Sequence, residues 1–361
     1  MADCHLLLQN FNQVIRLTDS RRQALLTARN DLRNRVANSF NLIKQQLPSA
    51  HDIEYQTQGS FIMDTIINPI SEDYDLDDGI YFIGVHARAN RPLPSVFHDF
   101  IVKSISTNNP FVKSVKDKDT CVRALYNEGY AYLFENKSDK LAKGFHVDLP
   151  IYYAGNKKCP DLAHLKKSWI TSDPIEFIKW FEEKVKSNFR SEFLYETKMF
   201  SAQYDAWQDQ VRKQDAQLRR IVRYLKAWCD YNGKNMPCGI ILTILAAENY
   251  SSNTKDDISL KETLVNIKNA LDKEFTCKRP TTPVGENLLA GYEDQKYFME
   301  SLESFVEAAK QAINETNQKR ACAKWQMHFG NRFSCWGVSD TDDNAKSFAS
   351  PAIITGNAKS A

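Results

Sequence analysis

Leu25, Leu32, Val36, Phe40, Ile43 and Leu47 recur at intervals of three, four and seven across residues 18–47, which is one face of a helix. Ser20 with Gln23 three residues later predicts a capping box at its start, and Pro48 follows its end. The pattern then turns to strand, loop and strand over 53–85, with Asn68-Pro69 marking a turn. Weaker alternation predicts strands over 111–122 and 130–134, around Asn127-Glu128-Gly129. In FHVDLPIYY, Phe145, Val147, Leu149 and Ile151 alternate with His146, Asp148, Pro150 and Tyr152, so Asp148 lies on the face opposite the apolar set. Beyond Ser172-Asp173-Pro174 the period becomes helical in five stretches: DPIEFIKWFEEKV, AQLRRIVRYLKAWCDY, PCGIILTILAAENY, DISLKETLVNIKNAL and YFMESLESFVEAAKQAINET. Asp173 is the expected N-cap of the first, with Pro174 at N1.

The division this predicts is a mixed α/β unit over 1–170 led by a long spine helix, a helical lobe over 171–336, and a flexible tail over 337–361 with few large apolar residues. The expected class is α+β. Composition permits it: 361 residues with 42% hydrophobic and 11% aromatic side chains are ample for two cores. A formal net charge of +2 gives no global pull toward long nucleic acid or an anionic membrane. No apolar run approaches the roughly 18 residues of a membrane span, and the N-terminus lacks a leader pattern, so a cytoplasmic protein is expected. The eight cysteines stand singly with no zinc-ligand spacing, which predicts reduced and mostly buried thiols.

One stretch does not fit a plain strand. In GSFIMDTIINPISEDYDLDDGIYF, residues 59–82, four aspartates (Asp73, Asp75, Asp77 and Asp78) crowd the start of a β-prone run. Such a cluster is either a solvated acidic turn or a cation site. Asp75 and Asp77 share one strand face, the spacing at which two carboxylates chelate Mg²⁺ together with phosphate oxygens. Asp148, the only acid in its strand, is the candidate third carboxylate, and Gly59-Ser60 ahead of the pair suits close backbone approach to a phosphate. The third acid favours the cation site.

The order Gly-Ser, acid-apolar-acid, then a distal strand aspartate resembles the polymerase-β-like nucleotidyltransferases. QGSFIMDT, YDLDDGIYF, FHVDLPIYY, LRRIVRYLKAW, MPCGIILTILAAEN, RPTTPVGENLL and KWQMHFGNRF narrow the resemblance to the bacterial CD-NTases, cyclic-oligonucleotide synthases of anti-phage (CBASS) signalling related to animal cyclic GMP-AMP synthase and oligoadenylate synthase. It runs from about Gln58 to about Phe333. It implies a polymerase-β-like core with an oligoadenylate-synthase-like helical lobe and an active site in the cleft between them.

By that resemblance Asp75, Asp77 and Asp148 are catalytic ligands of two Mg²⁺ ions, for which Mn²⁺ can substitute, and Asp73 is the runner-up. Gln58, Gly59, Ser60 and Lys226 belong to the donor nucleotide's phosphate site. Cys238 stands where relatives commonly carry a phosphate-binding Ser, and a thiol is a poorer donor. Substrates would be nucleoside triphosphates, ATP and/or GTP, joined into a cyclic di- or trinucleotide that activates an effector protein. No long nucleic acid is required. A ubiquitin-transfer-like enzyme acting at Ala361 is a further implied partner. The same acids serve a linear oligonucleotide or RNA-end nucleotidyltransferase, and an inactive nucleotide-binding regulator is the third reading. Periodicity alone puts Leu218, Ile221, Val222, Leu225 and Trp228 in a buried stripe and leaves Arg219 and Arg223 on a solvated face. Glu286-Asn287 is either a capping loop or a nucleotide contact, and Tyr195 and Phe200 are candidate base-stacking residues.

Overall fold

The computed structural model describes residues 2–43, 50–70, 74–106, 110–127, 130, 144–155, 159–186 and 201–341. Expectations for Asp73, for the end of the spine helix at Leu47, for most of the strand at 130–134, for Tyr195 and Phe200, and for the tail beyond 341 with Ala361 fall outside those residues.

The spine is helix α2, Asp19–Ile43, preceded by α1, His5–Ile15. Its cap differs from the sequence expectation: the hydroxyl of Thr18, two residues before Ser20, accepts from the backbone N–H of Arg21 at 3.3 Å. Strands β1 (Asp52–Gln58), β2 (Tyr74–Ile83), β3 (Val112–Asp117), β4 (Cys121–Tyr126), β5 (Phe145–Ala154), β6 (Asp161–His164) and β7 (Ser168–Thr171) form one sheet. Its order is β1-β2-β5-β4-β3, with β6 beside the far end of β5 and β7 beyond it. Only β2 and β5 run parallel among these pairs. The stretch 111–122 read as one strand is instead a hairpin, because residues 118–120 turn the chain.

Alternation decides what each face of this sheet does. Tyr74, Leu76, Ile80 and Phe82 of β2 and Phe145, Val147, Leu149, Ile151 and Tyr153 of β5 are buried against α2 and against α4, Pro94–Ser106, which the sequence reading missed. Asp75, Asp77 and Asp148 therefore point to the other face. Asp78, with the opposite parity, lies fully buried beneath α2, where Arg33 clasps it (Nε to Oδ2 at 2.7 Å) and Thr57 donates at 3.0 Å.

The second core is helical. It contains α5 (Pro174–Val185), α6 (Ser201–Gln214), α7 (Gln217–Asn232), α8 (Gly239–Asn249), α9 (Asp256–Lys273), α10 (Gln295–Asn314) and α11 (Gln318–Phe329). Asp173 caps α5 as expected, accepting from the N–H groups of Ile175 and Glu176 at 3.1 and 3.0 Å. The predicted stripe of α7 is buried in full. So are Leu8, Phe11 and Ile15 of α1, which makes the first helix of the chain part of this core.

Arg219 and Arg223 correct the expectation of a solvated face, since both are fully buried. Arg219 forks onto Glu182 at 2.9 and 2.6 Å. Arg223 reaches Asn12 at 2.8 Å, Asp215, and both the carboxylate and backbone carbonyl of Asp64. Arg16 and Arg212 also hold Asp64, which sits just after the α/β unit's single-turn helix α3, Gly59–Ile62. Three guanidiniums keep that carboxyl below the usual carboxylate range against a large burial cost. A helical period cannot reveal this, because α1 and the loop after α3 cover the charged side of α7 only in three dimensions.

The cysteine expectation is also corrected in part. Cys322 and Cys335 form a disulfide, with Cα atoms 5.8 Å apart, because the turn after α11 folds the chain back on it. Cys4, Cys121, Cys229 and Cys277 are buried thiols, while Cys159 and Cys238 are exposed. No described helix is long and apolar enough to cross a membrane.

Removing one partner from a buried ionic network strands the others. Arg223→Met is expected to destabilise the fold by roughly 3–5 kcal/mol, read from urea unfolding, whereas Leu42→Ala at an exposed site changes it little.

Candidate active site

The two lobes enclose a cavity of about 940 Å³. Gly59, Ser60, Asp75, Asp77, Lys226 and Gly239 line it, as do Gln58 and Cys238. Pairing explains how strand neighbours meet there. Gln58 lies opposite Asp77 across β1 and β2, and Asp77 lies beside Asp148 across β2 and β5.

Gly59 is needed twice over. Its φ is +68°, and a Cβ would fall 2.1 Å from Asp77 Oδ2. The backbone thus leaves β1 along the carboxylate itself. Ser60 follows, its carbonyl fixed by the N–H groups of Thr65 and Ile66 at 2.9 and 3.2 Å. Gln58 is buried and donates to the Tyr152 hydroxyl at 3.0 Å, while its own carbonyl oxygen has no partner among the described residues. Gln58 is a wall of the site more than an open donor.

Asp75 and Asp77 are half-buried. Burial, then the like charges of Asp75 and Asp148, push Asp77 well above the usual carboxylate range, while Arg123 and Lys226 draw it back. Lys226 comes from α7, its Nζ 3.5 Å from Thr65 Oγ1. A Cβ on Gly239 would lie 3.2 Å from Lys226 Cε, so the bare glycine opening α8 lets the lysine pass without shifting. Cys238 is the N-cap of α8 without a side-chain capping bond. An ammonium beside unpaired helix N–H groups is a setting made for an anion.

Asp148 differs from the pair. It is buried, is absent from the cavity wall, and both its oxygens are held by Arg123 of β4, Nε to Oδ1 at 2.6 Å and Nη2 to Oδ2 at 2.7 Å. Among the described residues, no set of three His, Cys, Asp or Glu side chains is arranged to hold a metal. Asp75 and Asp77 fit a divalent cation, since Asp77 carries a like-charge strain that a cation relieves. Asp148 as it stands is committed elsewhere.

Several residues at the site had no signal in the sequence. Arg123 becomes visible only through its register partner Asp148, and Thr65 and Tyr152 only through their contacts. Glu286-Asn287 resolves as a structured loop: Asn287 accepts from the N–H groups of Cys277 and Leu289, and Glu286 pairs with Arg279, itself a wall residue.

Two family profiles match this architecture. Residues 53–152 match the nucleotidyltransferase domain described as cyclic GMP-AMP synthase DncV-like, and residues 215–337 match the cyclic GMP-AMP synthase C-terminal domain. The chain belongs to the DncV-like nucleotidyltransferases. Among curated relatives, a cyclic GMP-AMP synthase of Escherichia albertii is 24% identical over 81% of this chain, and a c-di-GMP synthase of Roseivirga ehrenbergii 25% identical over 71%. The matches span 58% and 65% of those relatives' own lengths. Vibrio cholerae DncV, a cyclic AMP-GMP synthase crystallised with the linear intermediate 5′-pppA(3′,5′)pG, superposes with a TM-score of 0.65. The alignment covers 92% of this chain and 96% of that one at 18% identity, a likeness of fold.

Gly59→Ala is expected to lower stability by more than about 1 kcal/mol in urea unfolding, because neither the backbone conformation nor Asp77 leaves room for a methyl. Burial holds Lys226 down to about 8, against Asp75 and Asp77 and with Arg223 and Cys238 nearby. Two opposite pH trends follow. Affinity for inorganic tripolyphosphate, measured by isothermal titration calorimetry, falls as pH rises through about 8 and loses this slope in Lys226→Met. The unfolded chain binds the extra proton between 8 and the ordinary 10.5, so this lysine's cost to stability is full below 8 and is relieved across that window.

Proposed function

We propose that the protein joins nucleoside triphosphates, ATP and/or GTP, into a cyclic di- or trinucleotide with release of pyrophosphate. The single observation that supports this best is the meeting of Asp75 and Asp77 with Gly59-Ser60 and Lys226 on the wall of a cavity large enough for nucleotides. The curated relatives' names, both cyclic-dinucleotide synthases, point the same way.

In this reading Asp75 and Asp77 hold Mg²⁺, or Mn²⁺ in its place, and Asp148 completes a two-ion set. Such ions, when bound, lower the pKa of a ribose hydroxyl and offset charge on the α-phosphate and departing pyrophosphate. The chain's own residues do the rest. Lys226 and the N–H groups opening α8 neutralise and orient the donor's phosphates, and Cys238 contributes its backbone more than its thiol. Ser60 binds a phosphate oxygen from the β1 side. The shared wall of Gln58 and Tyr152 excludes water behind Asp77. One cleft then serves a first linkage and, after the linear product turns round, ring closure. We extend the reading to a cytoplasmic role in anti-phage signalling through an effector protein, with the chain's end at Ala361 as substrate of a ubiquitin-transfer-like enzyme.

Incubation with labelled ATP, GTP, CTP and UTP and Mg²⁺ or Mn²⁺ tests the chemistry. A phosphatase-resistant product from the native chain, reduced at least 100-fold in Asp77→Asn, is expected. Phosphatase-sensitive oligomers would instead identify a linear transferase, and no turnover in any mixture a nucleotide-binding regulator.

A further inference from the structure

The third carboxylate is already occupied by a cation. Arg123 and Asp148 are register partners in neighbouring antiparallel strands, and the guanidinium fork meets both carboxylate oxygens. Such a bidentate pair leaves no lone pair of Asp148 unshared in the direction of its partner. Among the described residues, no guanidinium forks onto Asp75 or Asp77, one strand away. Arg123 is close enough for its charge to act on Asp77 as well, and Lys226 acts on it too. The acids therefore are not equivalent: two face the cavity and one is locked.

We infer that Arg123 is a resident counter-ion that holds Asp148 until a divalent cation competes for it, so that the third ligand joins the site by exchange. This rests on the reading of Asp75, Asp77 and Asp148 as cation ligands. The physical case is electrostatic. Three carboxylates on adjacent strand positions with no cation repel strongly in a partly dry cleft, and one of them must be neutralised for the sheet to close. Arg123 supplies that charge from the sheet itself, with a planar fork that fixes Asp148 in place. A divalent ion brought in by Asp75 and Asp77 with a nucleotide's phosphates offers Asp148 a doubly charged partner, and the guanidinium then swings away. Arg123 is thus a positioning residue: it acts through Asp148, and sets how much cation the site needs before its last ligand engages.

The exchange has a signature that a purely structural ion pair lacks. Removing the guanidinium should free Asp148 and tighten cation binding, whereas removing a merely structural pair should loosen the site. Mn²⁺ alone serves as the probe, titrated into the full chain without nucleotide and followed by the electron paramagnetic resonance signal of the free ion. Arg123→Met is expected to bind Mn²⁺ on the order of tenfold more tightly than the native chain, the scale of one released charge-assisted pair. That gain should vanish in Arg123→Met with Asp148→Asn, which identifies Asp148 as the ligand gained. Arg123→Lys keeps the charge and loses the fork; it should fall between native and Met and serves if Arg123→Met does not fold, as judged by circular dichroism.

Unchanged or weaker Mn²⁺ binding in folded Arg123→Met or Arg123→Lys overturns the exchange, as does a gain that survives Asp148→Asn. If the native chain binds Mn²⁺ and forms product in those cases, the proposed function stands without it. Absence of both Mn²⁺ binding and product in the native chain removes the two together.

Discussion

Like charges on neighbouring strands repel, and this sheet carries three carboxylates within one strand spacing of each other. Everything around the cleft answers that repulsion. Arg123 enters from β4, Lys226 from the helical lobe, and the parallel pairing of β2 with β5 fixes the distance at which the acids must coexist. The site is costly to assemble and so needs a frame that does not yield. Its floor is β5, every residue of which is buried.

The frame is tied across the cleft by Asp64. Its carboxylate is gripped by Arg16, Arg212 and Arg223, which come from the end of α1, from α6 and from α7. Thr65, the next residue, touches Lys226, and Ser60 is pinned by the backbone of Thr65 and Ile66. The cavity-lining lysine and the Gly-Ser turn therefore share one short, rigid connection. Lys226 is held where its charge opposes Asp75 and Asp77 because the residue beside its contact is locked into the lobe junction.

Much of this was legible in the residues. Alternation in β5 and the parity of Asp75 and Asp77 placed the acids on one face, and Asp78 on the other. The apolar stripe of α7 and the cap at Asp173 also read directly, because they are local patterns set by the period of the element that carries them. What failed was non-local. Arg219 and Arg223 sit on the polar side of α7, yet partners from α1, α3 and α5 bury that side. The disulfide joins two cysteines that no short motif links. Arg123 carries no signal of its own, since its role depends on which residue lies opposite it across a hairpin and a long connection. The helix at 94–106 was a different kind of failure: Phe97, Ile101 and Ile105 do carry helical spacing, after a proline suited to a first turn, and the signal was there to be read.

The first helix has an awkward birth. Phe11 packs tilted against Phe329 with ring centroids 4.5 Å apart and meets Phe333 edge-on, while Ala2 donates its N–H to the carbonyl of Glu315. As the chain is made, Arg16 can meet Asp64 early and Asn12 can meet Arg223 once α7 has been translated, but Phe11 finds Phe329 and Phe333 only after α11 and the turn beyond it. The strands can pair meanwhile, but the helical half stays open at the seam where α1 packs on α11. Closing that seam makes a contact of very high sequence separation, hence slow to form.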